Sequence, residues 1–188
     1  MNPFYEPFQK TVEVGGRGYP IKTDFRAVLK LLDFLEEEGE PKDKLMAILG
    51  MYKELPMDIE AAVRAIADFL AGDGKEDRQE DEGQEEKEKK KTISYKKDAP
   101  YIIGDFLRSY GIDLTSCQYL HWQKFQALLA GLSEDSETKK RIAYRCIDIG
   151  KIRDRHERER IIRIQKAISI EDTEVDAERI GDLFGGLM

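Results

Sequence analysis

Residues 112–132, IDLTSCQYLHWQKFQALLAGL, bring together the rarest side chains of the chain. They include its only tryptophan, Trp122, one of its two cysteines, Cys117, and one of its two histidines, His121. A helix through this stretch would put the thiol and the imidazole on one side, because they are four residues apart. The stretch is therefore either a thiol–histidine or metal site, or an apolar helix of the core.

We predict a helix over residues 116–131, because Thr115 and Gln118 have the spacing of a capping box. Cys117 would then lie in the first turn, where free N–H groups and the helix dipole activate a thiol. A zinc site, however, needs about four ligands, and the other cysteine and histidine of the chain stand alone. We therefore predict a protein that is not an enzyme, with no catalytic residues, no metal and no cofactor.

The same predicted helix carries a broad apolar face. Its members are His121, Trp122, Phe125, Leu128, Leu129 and Leu132. Two interpretations of this face are open, namely burial inside the protein's own domain or contact with another chain, where tryptophan is a favoured hot-spot residue. We predict that Trp122 and Phe125 are apolar contacts for a partner protein.

The N-terminal residues 1–71 are predicted to form a β-hairpin followed by three amphipathic helices. Val12 and Val14 alternate with polar neighbours, and the pair Gly15-Gly16 supplies a turn that tolerates positive φ. Apolar residues then recur at helical spacing over three segments, which are 24–38, 42–53 and the stretch that begins at Pro56.

Residues 72–91, GDGKEDRQEDEGQEEKEKKK, contain no apolar residue. They cannot bury surface, so they are predicted to be a disordered charged linker, and an electrostatic contact with a partner is the alternative. Residues 92–170 are then predicted to form a second helical unit, in which Asp98 and Gly111 fit the caps of a first helix. The chain is therefore predicted to be mainly α-helical, with an N-terminal β-hairpin and two small helical units joined by this linker.

The last residues, 171–188, predict an acidic flexible tail. The tail ends in an apolar cluster that contains Leu183 and Phe184. A short motif that binds a groove is one interpretation of this cluster, and a terminus without structure is the other. We predict that Leu183 and Phe184 are further partner contacts.

Composition and charge limit the classes of partner. The net charge of -7 and the pI near 5.1 disfavour general affinity for nucleic acid, which needs a basic surface. No apolar run approaches the roughly 18 residues of a membrane span, and the first residues, MNPFYEPFQK, do not fit a secretion signal. We therefore expect a soluble cytoplasmic protein without a membrane partner.

The segment 151–166, KIRDRHERERIIRIQK, departs from this acidic character, with seven basic and three acidic residues. A nucleic-acid-binding regulator would use this basic helix. Few of its residues are aromatic, however, so little is available to stack on bases. A solvated helix that docks by its isoleucines, or a helix for a protein partner, is favoured, and nucleic acid is not an expected partner.

Four stretches of the sequence resemble a family of small proteins encoded by long-tailed phages and prophages of Gram-positive bacteria. They are GYPIKTDFRAVLKLL (18–32), DAPYIIGDFLRSYGIDL (98–114), YLHWQKFQALLAGL (119–132) and KKRIAYRCIDI (139–149). The genes of this family stand just ahead of the tape measure gene. The family pattern has a second tryptophan where this chain has Gln123.

The resemblance implies a tail assembly chaperone, which binds the long helical tape measure protein before the tail tube polymerises around it. It implies the tape measure protein and the tail tube protein as partners, the cytoplasm of the bacterial host as the location, and absence from the mature virion. Self-association is a further option, and a structural tail component is the alternative among phage functions.

Overall fold

The computed structural model describes residues 7–72 and 92–170, which are mainly helical. The elements are β1 (Thr11–Val14), β2 (Arg17–Pro20), α1 (Phe25–Glu36), α2 (Pro41–Leu49), α3 (Ile59–Ala71), α4 (Ala99–Tyr110), α5 (Trp122–Ala130), α6 (Glu137–Cys146) and α7 (Arg155–Ala167). The prediction of a mainly α-helical chain that opens with a β-hairpin is confirmed. The predicted linker, apart from its first residue, and the predicted tail lie outside the described residues.

The hairpin has the turn that its sequence predicts. Strands β1 and β2 pair antiparallel, with Val14 opposite Arg17. Gly15 and Gly16 between them have φ of 59° and 77°, a region that glycine enters without steric cost. Val12 and Val14 are buried while the residues between and beside them are exposed, so one face of the hairpin packs on the helices.

The described chain divides into two compact units. The first unit contains residues 7–72 and 106–132, and the second unit contains residues 92–105 and 133–170. The sequence, by contrast, predicts one helical unit over the whole of 92–170. The boundary falls inside helix α4, so a single helix contributes residues to both units.

Stacked aromatic rings fill the core of the first unit. Phe125 on α5 is the centre of this stack, since its ring lies 5.0 Å from that of Phe25, 5.3 Å from that of Phe106 and 5.7 Å from that of Trp122. These distances are typical of favourable offset ring packing. Because Phe25 begins α1 and Phe106 lies in α4, the stack joins segments that are far apart in the sequence.

A buried ion pair organises the second unit. The guanidinium of Arg145 on α6 donates to both carboxylate oxygens of Asp98, at 2.6 and 2.8 Å. It also donates to the carbonyl oxygens of Thr92, at 3.0 Å, and Ile168, at 2.8 Å. Burial raises the pKa of Asp98, but the hydrogen bonds from Arg145 and the Ser94 N–H, together with the charges of Arg145 and Arg141, outweigh burial and leave that pKa below its ordinary value. The pair therefore fixes both ends of the second unit's described chain onto α6.

Candidate protein-binding surface

The prediction of a helix over residues 116–131 is wrong at its start. Helix α5 begins at Trp122, and the residues before it form a turn around Asp113. The Asp113 carboxylate accepts hydrogen bonds from the Thr115 hydroxyl at 2.6 Å and the Ser116 hydroxyl at 2.7 Å, and these lower its pKa to about 2. Thr115 therefore does not cap a helix, because its side chain belongs to the Asp113 turn.

Contacts with the start of α1 keep the next residues extended. The Phe25 N–H donates to the Leu120 carbonyl at 2.9 Å, and the Trp122 N–H donates to the Thr23 carbonyl at 2.8 Å. Arg26 also donates to the carbonyl of Cys117, at 3.0 Å. A segment paired in this way cannot be helical, which is why α5 starts later than its sequence indicates.

Cys117 and His121 therefore do not share a helix face. The Cys117 thiol donates to the Leu114 carbonyl at 3.7 Å. His121 is the N-cap of α5, since its Nδ1 accepts from the Gln123 N–H at 3.2 Å, and its Nε2 donates to the Gln9 carbonyl at 2.8 Å. Burial lowers the pKa of His121. Within residues 7–72 and 92–170, no three His, Cys, Asp or Glu side chains cluster in a way that could hold a metal ion.

The predicted contact residues Trp122 and Phe125 lie in the core of the first unit. They are 2% and 1% exposed, and the Trp122 indole N–H donates to the Leu70 carbonyl at 3.3 Å. In this structure neither side chain presents surface to another chain, so the packing follows the alternative of burial inside the protein's own unit. The other two predicted contacts, Leu183 and Phe184, lie outside the described residues.

Seven large apolar or aromatic side chains in the described part of the first unit are exposed. We call the five that lie on α1, α2 and the connection to α3 the apolar surface set, and the other two, Leu107 and Tyr119, lie elsewhere in the sequence. The set consists of Phe34, Leu45, Met46, Leu55 and Met57. Phe34 lies on α1, Leu45 and Met46 lie on α2, and the other two lie on the connection to α3. Met57 is 97% exposed, Leu55 61% and Met46 59%. Contiguous exposed apolar surface is typical of protein-binding sites, and these five side chains come from neighbouring segments of the chain, within residues 34–57.

The backbone under this set is held in place by specific bonds. The Lys44 ammonium donates to the Leu35 carbonyl at 2.9 Å, which ties α2 to the end of α1 beside Phe34 and Leu45. The Tyr52 hydroxyl donates to the Ala62 carbonyl at 2.7 Å, which ties the α2–α3 connection to α3. The apolar side chains therefore project from a supported framework.

Sequence reasoning missed these residues for a definable reason. The helical spacing of apolar residues over 42–53 includes Leu45 and Leu49 alike, but only Leu49 is buried in α2. Met46, Leu55 and Met57 fall off every predicted helical stripe, and that mismatch was the available signal. Methionine has a flexible, polarisable side chain that adapts to different apolar partners.

The predicted basic helix corresponds to α7 in the second unit. Ile161 is buried, and the Gln165 amide donates to the carbonyls of Tyr144 and Ile147 at 2.8 and 2.9 Å. The guanidinium of Arg155 pairs with the exposed Glu159 at 3.0 Å, so acidic and basic side chains alternate on its outer face. This arrangement is typical of a solvated helix that docks by one apolar edge.

A family model described as "Bacteriophage Gp15 protein" matches residues 5–170. Because this match covers most of the chain, the protein belongs to the bacteriophage Gp15 protein family. No curated protein and no solved structure gives a significant match. Among the described residues, no helix is long and apolar enough to cross a bilayer.

Proposed function

We propose that the protein is a tail assembly chaperone of a long-tailed phage or prophage of Gram-positive bacteria. It binds the tape measure protein in the cytoplasm of the host while the tail tube assembles, and it is absent from the finished virion. Membership of a bacteriophage family supports the viral setting. The observation that carries the binding role is the solvent exposure of the apolar surface set, above all of Leu55 and Met57.

The apolar surface set suits a reversible complex with a long helix. A leucine or methionine that becomes fully buried contributes roughly 1.5–3 kcal/mol. An amphipathic helix presents apolar residues at every third or fourth position, so it can cover side chains on α2 and on the connection to α3. The charged residues around them, such as Lys42, Lys53 and Glu54, keep the free protein soluble.

The proposed function includes no catalytic step. Cys117 and His121, the residues best suited to nucleophilic chemistry, each serve the local structure, the first in the loop before α5 and the second as its N-cap. The proposal therefore treats the protein as a binding protein without an enzymatic activity.

The test is co-expression of a tape measure fragment with the chain and its surface variants. We expect wild-type protein to keep the fragment soluble and Leu55→Asp or Met57→Asp to reduce that soluble fraction severalfold. Both side chains are highly exposed, so these variants should fold normally. Gln118→Asp is the matched control, because it adds the same charge at an exposed residue outside the set. If the fragment is equally soluble with all four proteins, the apolar surface set does not bind it.

Two other functions rest on different observations. A nucleic-acid-binding regulator would use the exposed arginines of α7, such as Arg158 and Arg160, and a gel shift at low salt that weakens as salt is added would support it. A structural tail component would be retained in purified particles, where mass spectrometry detects it. We expect neither result.

A further inference from the structure

A groove of about 490 Å³ lies along the outer edge of strand β1 in the first unit. The strand side is lined by Thr11 and Glu13, and the helix side by Ala65 and Phe69 of α3. A cavity of this size matches ordinary ligand sites in proteins. None of the residues that line this groove belongs to the apolar surface set.

The strand edge in this groove offers free backbone groups. The Ile21 N–H donates to the Lys10 carbonyl at 3.1 Å, so the backbone groups of Lys10 point towards β2. Because backbone groups alternate in direction along an antiparallel strand, Thr11 and Glu13 direct their N–H and C=O groups away from β2. The register of the hairpin leaves these four groups outside its ladder, and across the described part of the chain no other backbone group bonds to them. Proline at position 20, opposite Thr11, agrees with this register because it needs no inward N–H.

Just before β1, the same outer edge already accepts a hydrogen bond from the protein itself. The Gln9 carbonyl, which has the same direction as the groups of Thr11 and Glu13, accepts the hydrogen bond from His121. The edge is thus fixed against α5 at one end and open beside α3 further along. Gln123, which also lines the groove, has a buried Oε1 without a donor among the described residues.

We propose that this groove binds an extended segment of another protein, which adds to β1 as a third strand. Two consecutive outward residues supply two donors and two acceptors, which is the pattern that an added strand satisfies. The groove thereby acts as a peptide-binding site that no helix of a partner can fill, since a helix has no free backbone groups to pair with it.

The side chains around the groove define the chemistry of that segment. Thr11 and Glu13 point to the solvent face of the hairpin, so a residue opposite Glu13 lies beside its carboxylate and is favoured as lysine or arginine. Val12 points to the buried face, so the residue between two such positions turns towards α3, where an apolar side chain would pack on Ala65 and Phe69. Asp68 lines the same side of the groove and, with Glu13, adds acidic character that favours basic residues in the occupant. The predicted occupant is a strand in which basic and apolar residues alternate.

The test uses the full chain and a synthetic acetylated peptide of four lysine–valine repeats. We expect the peptide to slow hydrogen exchange of the Thr11 and Glu13 amides at least tenfold, because it supplies their missing acceptors. A peptide of the same composition with its lysines and valines in separate blocks is the control for charge alone. Equal protection by both peptides, or none by either at millimolar concentration, would overturn the proposal.

Two variants separate backbone pairing from charge. Thr11→Pro removes an outward N–H that the hairpin does not use, and we expect it to weaken peptide binding at least tenfold while circular dichroism stays unchanged. Glu13→Lys should also weaken binding, whereas Glu38→Lys, at an exposed position outside the groove, should not. Wild-type binding by Thr11→Pro contradicts strand addition.

Sedimentation tests the other possible occupant, a second copy of the chain. If the chain binds no peptide but forms a dimer that Thr11→Pro abolishes, the second copy is the occupant and the proposal is overturned.

Discussion

The imidazole of His121 joins three parts of the first unit. Its Nδ1 caps α5, its Nε2 donates to the carbonyl of Gln9 before β1, and its ring stacks on Phe8 at 5.1 Å and meets Phe69 edge-on at 6.0 Å. These bonds require a neutral ring with the proton on Nε2, because Nδ1 accepts from an N–H. Burial lowers the pKa of His121 below its ordinary value of 6.5, and the nearby charge of Lys10 acts in the same direction.

This geometry predicts that the first unit loses stability in mild acid. In the unfolded chain His121 takes up a proton as the pH falls through about 6.5, whereas the folded protein resists protonation until lower pH. The free energy of unfolding should therefore decrease between about pH 7.5 and about pH 5.5. Urea unfolding followed by the fluorescence of Trp122, which is in the same unit, measures this change.

Asparagine variants isolate the contribution of His121. His121→Asn keeps an N-cap acceptor but cannot titrate, so its free energy of unfolding should depend less on pH than that of wild type. His156→Asn, at an exposed position on α7, is the control and should keep the wild-type dependence. Identical pH dependence in all three proteins would show that His121 is not the group responsible.

The Asp98–Arg145 pair predicts a large effect of single substitutions in the second unit. Asp98→Ala leaves a buried guanidinium without its counterion, which costs about 3–5 kcal/mol. Arg145→Lys keeps the charge but loses the paired donors, so its cost should be smaller. Arg155→Ala removes an exposed ion pair and should change stability by less than about 1 kcal/mol. Urea unfolding followed by circular dichroism compares the three, and an equal loss for Asp98→Ala and Arg155→Ala would contradict the structural role of the buried pair.

At the scale of elements, the cap of α1 also holds the loop before α5. The Asp24 carboxylate accepts from the Arg26 N–H at 3.0 Å and from the Arg26 side chain at 2.8 Å, and that side chain reaches the carbonyls of Cys117 and Gln118. Asp58 caps α3 with one bond, to the Ala61 N–H at 3.0 Å. The two aspartates thus have the same local role in different surroundings.

This difference predicts that Asp24→Ala is more destabilising than Asp58→Ala. The loss of an N-cap costs about 0.5–2 kcal/mol, and Asp24→Ala additionally frees Arg26 from its position over the loop. We expect Asp58→Ala near the lower end of that range and Asp24→Ala at or above its upper end. The comparison uses unfolding monitored by Trp122 fluorescence. A greater loss for Asp58→Ala would mean that the loop does not depend on the α1 cap.

Local signals predicted elements whose ends depend on nearby residues. The sequence predicted the hairpin from the glycines at its two-residue turn, and the structure has this turn. In the structure Asp24, Asp58 and Ser136 each cap the helix that follows, which are local contacts of the same kind. The start of α5 could not be predicted in this way, because backbone bonds to Thr23 and Phe25 decide it. Those partners lie about a hundred residues away in the sequence, and a capping box cannot reveal them.

At the scale of the whole molecule, the sequence showed that apolar helices exist but not which of them pack together. A change in composition suggested a boundary at residues 72–91, yet the stack of Phe25, Phe106 and Phe125 places residues of both sides in one core. Tryptophan often contacts partner proteins, which favours Trp122 as a contact residue. It is buried because its ring belongs to this same aromatic stack. The apolar surface set could be identified only after the packing of the other residues was known.

The central claim is that this exposed apolar set binds the tape measure protein. Isothermal titration calorimetry of the full chain with a purified tape measure fragment, repeated at several temperatures, tests it most directly. We expect binding with a negative heat-capacity change, because apolar surface leaves water. The double variant Leu55→Asp, Met57→Asp should bind at least tenfold more weakly, and Gln118→Asp should bind like wild type. Wild-type affinity and heat-capacity change in the double variant would contradict the claim.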